Sequence, residues 1–388
     1  MRMATILLLI IYITFISLGL PDTLLGSAWP VMYKDLGVSI SIQGAVSVII
    51  SATTVLSSFM SGAIMKRFKV GKIIFVSVFL TAVALLGFSF SHHIWILSLL
   101  AIPLGLGAGC IDSCLNSFVA DNYSAMHMNW LHCFWGIGAT AGPVILSGFL
   151  AKGNWRGGYR SVAIIQLIIV AILLISMPLW EKVRKKSVTE EHEEKNDVTY
   201  LQTIKQKGAV YDVLAFFFYG GVEQLVGLWG ASYITLHCSM GADVGAKMSS
   251  MYFMGIAIGR LISGLLTLRI TNKQLIYSGI AVILAGLGIL LAATGQSMFF
   301  CAFILIGLGV APIFPSMVSE TPSRFGSRFS QSIMGMQMAS AYLGIATIPP
   351  LFGVMAKINI AIFPYCVMTA NVLLLLMTIM ISKKTRRK

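Results

Sequence analysis

Three carboxylates stand inside long apolar stretches of this 388-residue chain. Asp22 lies in Gly19-Leu20-Pro21-Asp22-Thr23-Leu24-Leu25-Gly26, Asp112 in Gly107-Ala108-Gly109-Cys110-Ile111-Asp112-Ser113-Cys114-Leu115-Asn116, and Glu223 in Gly220-Gly221-Val222-Glu223-Gln224-Leu225-Val226-Gly227. A charge at such a place costs several kcal/mol unless it faces water or protein. Burial disfavours the ionised carboxyl, so each acid is a candidate to take up and release a proton or to hold a small cation. The plainer alternative is an acid hydrogen-bonded to a neighbouring helix. Asp112 and Asn116 are four apart and share one helical face. With Asp22 they offer oxygens to a sodium ion or paired contacts to hydroxyl groups, and spacing does not choose between these. Asn129, His132 and Trp135 advance by threes along another apolar run and line one face. An amide, an imidazole and an aromatic plate in an otherwise apolar pocket suit a small polar solute with an apolar edge. In the second half of the chain Gln224, Trp229, Gln331 and Gln337 are the corresponding candidates.

The elements that must position these groups follow from composition. Hydrophobic residues make up 57% of the chain and charged ones 11%, which excludes a soluble globular domain and implies an all-α membrane protein. Runs of about 20 apolar residues, enough to span a bilayer, fall near 4–29, 39–65, 72–90, 94–120, 128–151, 160–180, 210–236, 244–269, 272–293, 297–319, 328–356 and 360–382. The one long polar stretch, 181–207, separates two sets of six. The expected organisation is therefore a six-helix bundle over 1–180, a cytoplasmic linker over 181–209 and a second six-helix bundle over 210–388. With the amino terminus inside, 21 Lys and Arg residues fall on inward segments and six on outward ones. This bias puts both ends in the cytoplasm of a cell that carries the protein in its plasma membrane. The outward cluster Lys152, Arg156, Arg160 runs against that bias. The first apolar run lacks a small-residue cleavage site behind a short core and reads as retained helix.

The net charge of +14 is scattered in short clusters between apolar runs, so nucleic acid is not an expected partner. The six cysteines have no zinc-like spacing and read as packing residues. Gly105, Gly107 and Gly109 have no preceding strand and no phosphate-binding lysine after them, so they read as helix packing rather than a nucleotide loop. No Ser-His-Asp set or metal spacing stands in a plausible context. The expectation is a non-enzyme without metal or cofactor.

The chain also repeats itself. Gly19, Asp22 and Gly26 correspond to Gly220, Glu223 and Gly227 at a constant displacement of 201. Ser61-Gly62 with Arg67 corresponds to Ser263-Gly264 with Arg269 at 202, and Gly105-Leu106-Gly107 to Gly307-Leu308-Gly309 at 202. Gly148 and Ala151-Lys152 correspond to Gly353 and Ala356-Lys357 at 205. A duplicated membrane unit with an acid at one depth in each copy is implied.

With twelve helices, two repeats, a central polar loop and a Gly-plus-basic loop after the second and eighth helices, the chain resembles the major facilitator superfamily. Its loop Ser61-Gly62-Ala63-Ile64-Met65-Lys66-Arg67-Phe68-Lys69-Val70-Gly71-Lys72 keeps the glycines and the positive charge and lacks the acid usual in that motif. Three stretches resemble the fucose:proton symporter branch and its sodium-dependent glucose-transporting relatives. They are 107–116, Leu131-His132-Cys133-Phe134-Trp135-Gly136-Ile137-Gly138-Ala139 running to Gly142-Pro143, and Phe218-Tyr219-Gly220-Gly221-Val222-Glu223. The resemblance implies a monomeric secondary transporter in which the two bundles give alternating access. It also implies cation-coupled uptake, driven by protons or sodium, of a monosaccharide or similar small polar solute. Asp22, Asp112 and Glu223 would couple the cation, and Asn116, Asn129, His132, Trp135, Gln224, Trp229 and Gln337 would contact substrate. Gly62, Arg67 and Arg269 would serve gating, as would Gly142 and Pro143, where small residues and a missing backbone bond suit bending. A related Gly-Pro signature occurs in antiporters of the superfamily, so export of amphipathic or drug-like compounds is the alternative, favoured also by 21 methionines and 22 phenylalanines that suit a pliable pocket.

Overall fold

The computed structural model describes residues 2–123, 125–183 and 200–385, and no strand occurs among the described residues. Twelve helical stretches are long and apolar enough to cross a membrane, as hydrocarbon demands of a chain that must satisfy its own backbone. Two of the twelve are broken. The first comprises α1 (Arg2–Asp22) and α2 (Leu24–Asp35). It is followed by α3 (Ile42–Arg67), α4 (Val70–Phe90), α5 (Ile94–Asn122), α6 (Ala125–Leu150) and α7 (Trp155–Val183). After the short α8 (Tyr200–Ile204) come α9 (Ala209–Leu236), α10 (Ala242–Leu266) and α11 (Asn272–Ala292). The second broken span is α12 (Gln296–Val310) with α13 (Ile313–Phe325), and α14 (Ser327–Ala356) and α15 (Phe363–Lys384) complete the chain.

The molecule divides into two compact units, one holding 2–183 with Gly230–Ser250, the other 200–229 with 251–385. The stretch Gly230–Ser250 joins the first unit, where the Ser250 hydroxyl donates to the Thr140 carbonyl of α6 at 2.9 Å. That stretch is the end of α9 and the start of α10. Most of the expected linker, 184–199, lies outside the described residues; at its far end α8 meets α14 through Thr203 and Ser332, 2.9 Å apart.

Glycines set how closely the helices approach. In the first unit a Cβ on Gly138 would collide with the Ile16 carbonyl, and one on Gly19 with the Trp135 carbonyl, so α1 and α6 touch backbone to backbone. In the second unit Gly344 stands against the Phe217 carbonyl and Gly220 against that of Ala341, joining α9 to α14 in the same way. The Gly-Leu-Gly pairs repeat even more closely. Gly105 abuts the Ile50 carbonyl of α3 and Gly107 the Ser77 carbonyl of α4; Gly307 abuts the Tyr252 carbonyl and Gly309 the Gly279 carbonyl. Every partner is displaced by 202, like the glycines themselves. The repeat is therefore one of contacts, and the glycines read as helix packing do that work.

Polar groups tie the helix ends. Arg156 at the start of α7 pairs with Asp35 at the end of α2 and donates from Nη2 to the Ser91 carbonyl, at the end of α4, at 2.9 Å. Trp155 Nε1 also donates to Asp35, at 3.0 Å, and the Arg160 guanidinium lies 4.7 Å from the Phe90 ring. Two members of the anomalous basic cluster thus hold three helix ends together, and a cation suits the negative end of the α4 dipole. In the second unit Asp212, fully buried in the first turn of α9, pairs with Arg324 of α13 at 3.2 Å and accepts from Gln337 of α14. Gln337 also donates to Thr321 at 2.8 Å, and Arg324 reaches Glu320 at 3.4 Å.

Two predictions follow from these contacts. Gly138→Ala forces α1 and α6 apart and costs about 1–3 kcal/mol, read as a lower unfolding midpoint in detergent. Gly148→Ala, whose added Cβ meets nothing within 4 Å, leaves the midpoint unchanged; equal midpoints for the two variants would show that the close approach carries no stability. Arg324→Ala strands the buried Asp212 charge at a cost of about 3–5 kcal/mol and lowers the yield of folded protein. Adding Asp212→Asn restores most of it, and a double variant no better than the single one would remove the ion pair from the account.

Candidate functional site

Asp22 closes α1 immediately after Pro21. Proline has no N–H to give the carbonyl four residues back, which is that of Ser17. Gln166 of α7, itself fully buried, donates to this carbonyl at 2.5 Å, and its own Oε1 accepts from Thr81 of α4 at 3.1 Å. The carbonyl freed at the interruption is thus satisfied by a side chain of α7, which a side chain of α4 holds in turn. The interruption leaves Asp22 exposed at the break, and its Oδ2 accepts from Trp135 Nε1 of α6 at 2.9 Å. The Gly19–Trp135 backbone contact is what brings the indole within reach.

Asp112 and Asn116 share a face of α5 as their spacing requires. Asn116 Nδ2 donates to both the Oδ1 and the backbone carbonyl of Asp112, each at 2.9 Å. Both residues are half-buried. Among the described residues neither Asp22 nor Asp112 has a cationic side chain at ion-pair distance. Two carboxyls served only by neutral N–H groups, one of them exposed, can each carry a proton or together attract a small cation.

His132 lies one turn before Trp135, half-buried, with its ring edge-on to Phe15 at 5.9 Å. Asn129 belongs to α6, but its side chain lies outside the described residues. The structure therefore brings Asp22 and Trp135 into contact, with Asp112 and Asn116 as a second bonded pair in the same unit.

In the second unit Glu223 sits halfway along α9. Its Oε1 is 3.9 Å from Arg260 Nη2 of α10, and its backbone carbonyl accepts from the Tyr252 hydroxyl at 2.9 Å. Gln224 is half-buried beside it. Other candidates are engaged elsewhere. Trp229 is wholly buried, its indole donating to the Pro349 carbonyl at 2.9 Å and packed against Phe352. Gln337 is consumed by Asp212 and Thr321. Gln331 is exposed on α14.

Among the expected gating residues, Gly62 faces open space and Arg67 and Arg269 are exposed. Gly142 fits against the end of α1: a Cβ there would lie 2.5 Å from the Leu20 carbonyl and 2.9 Å from Thr23 Oγ1. Pro143 is buried next to it. All six cysteines are free, Cys110 and Cys114 being buried. Among the described residues no group of three His, Cys, Asp or Glu is placed to hold a metal ion. The pairing of Asp212 with Arg324 was not legible in the sequence; Arg260 was visible as a charge interrupting an apolar run, but its pairing with Glu223 was not.

The family model for the Major Facilitator Superfamily matches residues 11–381. The glucose/mannose transporter GlcP of Bacillus subtilis is 24% identical over 312 residues, 76% of this chain and 76% of that protein. Bypass of stop codon protein 6 of Saccharomyces cerevisiae is 23% identical over 287 residues, 66% of this chain but only 57% of the yeast protein, so the chain matches little more than half of that relative. Among solved structures, the crystal structure of a D-xylose-proton symporter superposes with a TM-score of 0.74 at 12% identity, covering 98% of each chain. Twelve apolar spans, contacts duplicated at a fixed displacement and a family match over nearly the whole length agree: the chain belongs to the major facilitator superfamily and is a multi-pass membrane transporter, not an enzyme.

Proposed function

We propose that this transporter couples a cation, a proton or a sodium ion, to the uptake of a monosaccharide or similar small polar solute by alternating access. The observation that carries the reading is Asp22: an exposed carboxylate at a built-in break of the first span, held by the Trp135 indole, with the Asp112–Asn116 pair in the same unit and no cation beside either acid among the described residues. A driving cation supplies the charge these acids lack. The indole that fixes Asp22 also offers a flat apolar face to the CH surface of a sugar ring, while Asn116 and His132 of the same unit supply hydrogen-bonding groups, with Asn129 on the same helix as His132. The glucose/mannose transporter and the xylose-proton symporter support the substrate class and the coupling. The bias of basic residues supports a protein of the plasma membrane with both termini cytoplasmic. The repeat supports functional halves over 1–180 and 210–388 joined by 181–209, working as a monomer.

The contact between Gly142 and the end of α1 gives the Gly-Pro element a packing role independent of transport direction, which weakens the case for export. The experiment uses purified protein in liposomes. Asp22→Asn is expected to abolish uphill accumulation of glucose under a pH or sodium gradient while retaining glucose counterflow. Undiminished gradient-driven accumulation by the variant removes Asp22 from coupling. A wild-type protein that exchanges no sugar, and whose loss sensitises cells to amphipathic compounds, is an exporter instead.

A further inference from the structure

We propose that Glu223 and Arg260 form a sugar-hydroxyl recognition subsite of the second unit, with Arg260 as a specificity-determining residue, and that Glu223 is not a coupling acid. This rests on the sugar reading above and adds to it which groups read the hydroxyls.

The argument begins with charge. Glu223 is the repeat counterpart of Asp22, yet its surroundings differ in kind: a guanidinium stands beside it, where Asp22 has an indole N–H. The pair is neutral as it stands, its counter-charge built in. Asp22 and Asp112 have no such partner among the described residues, which leaves coupling to them.

Exposure comes next. The two side chains are 24% and 25% exposed although Glu223 lies at the middle of a 28-residue helix. An ion pair showing an edge to hydrocarbon at that depth is costly, so the exposed edge faces water. A buried ion pair is also poor value as a structural element, since apolar residues of the same size stabilise as well or better. An accessible, charge-balanced pair has chemistry available to it instead.

That chemistry fits vicinal hydroxyls. Each hydroxyl both donates and accepts; a carboxylate only accepts, and a guanidinium only donates from a planar fork. At 3.9 Å the two groups are attracted to each other but lie beyond hydrogen-bond distance, a gap that one hydroxyl of a sugar can bridge while its neighbour takes the second donor or acceptor. The backbone that carries the carboxylate is fixed: Tyr252, fully buried, donates to the Glu223 carbonyl at 2.9 Å. A rigid backing of this kind is what selective recognition requires.

The test compares D-glucose with its single-position deoxy analogues, in counterflow and in gradient-driven accumulation, for the wild type, Arg260→Gln and the charge-neutral double variant Glu223→Gln with Arg260→Gln. Removal of a hydrogen bond to a charged group is worth about ten- to a hundredfold. The wild type should show a half-saturation raised by that factor for one or two analogues. Arg260→Gln should show the same rise for glucose and no further rise for those analogues, with accumulation at saturating sugar retained. If Arg260→Gln folds poorly, the double variant, which leaves no charge unpaired, must give the same pattern. Equal penalties for every analogue in all three proteins overturn the subsite. Loss of gradient-driven accumulation in the double variant with half-saturation unchanged overturns it too, and returns Glu223 to coupling. A wild-type protein that exchanges no glucose, mannose or xylose fails earlier and differently: it overturns the sugar reading itself, and this inference with it.

Discussion

The structure depends on helices meeting backbone to backbone where glycine removes the side chain between them. Lipid offers no hydrophobic drive for helices to associate, so close van der Waals approach takes its place. The contact of α1 with α6 shows how this reaches the chemistry. Gly19 and Gly138 let the two backbones touch, the Trp135 carbonyl comes to rest on Gly19, and the Trp135 indole is thereby delivered to the carboxylate of Asp22 three residues further on. A larger residue at either glycine would separate the helices and withdraw the only hydrogen bond the structure gives that carboxylate among the described residues. Packing and the placement of the acid are the same contact here.

The duplication makes the departures from it informative. Backbone contacts repeat residue for residue, Gly105 on Ile50 matching Gly307 on Tyr252. The side chains around the two acids do not. The contact that places Trp135 beside Gly19 places Ala341 beside Gly220, and the residue 202 positions before Arg260 is Ser58, which bonds the Gly109 carbonyl at 3.2 Å. One scaffold thus presents an acid with a neutral donor in one copy and an acid with a cation in the other. Their electrostatic surroundings differ accordingly: among the described residues the first acid has no cationic neighbour, and the second has Arg260.

What the sequence made legible is what depends on local pattern. Apolar runs marked all twelve spans because hydrocarbon thickness fixes their length, and the four-residue spacing of Asp112 and Asn116 put them on one face, where they are bonded. The packing of Gly105, Gly107 and Gly109 was readable for want of a strand and a lysine. Partnership across the chain was not. Trp229 and Gln337 are the residue types that line a polar pocket, and each is spent on a distant group, the Pro349 carbonyl and Asp212. Asp212 itself sits in the first turn of its helix, where an acid is unremarkable, and nothing nearby in sequence announces Arg324. Arg156 looked like a charge on the wrong side of the membrane because counting charges ignores that Asp35 and the Ser91 carbonyl lie against it.

The break at Asp22 joins these threads. Pro21 was visible in the sequence as a lost hydrogen bond, but not where the orphaned Ser17 carbonyl would turn. It turns to Gln166, and Gln166 is fixed in turn by Thr81, so α4 and α7 together hold open the interruption that exposes the acid. A carbonyl left unsatisfied in a membrane costs several kcal/mol, which is why the break cannot be a casual irregularity: it persists because a buried amide from another helix was placed to meet it. The position of Asp22, the acid at the break, is therefore set by three helices at once, and any movement of α7 against α1 must act on Ser17 and, through the break, on Asp22.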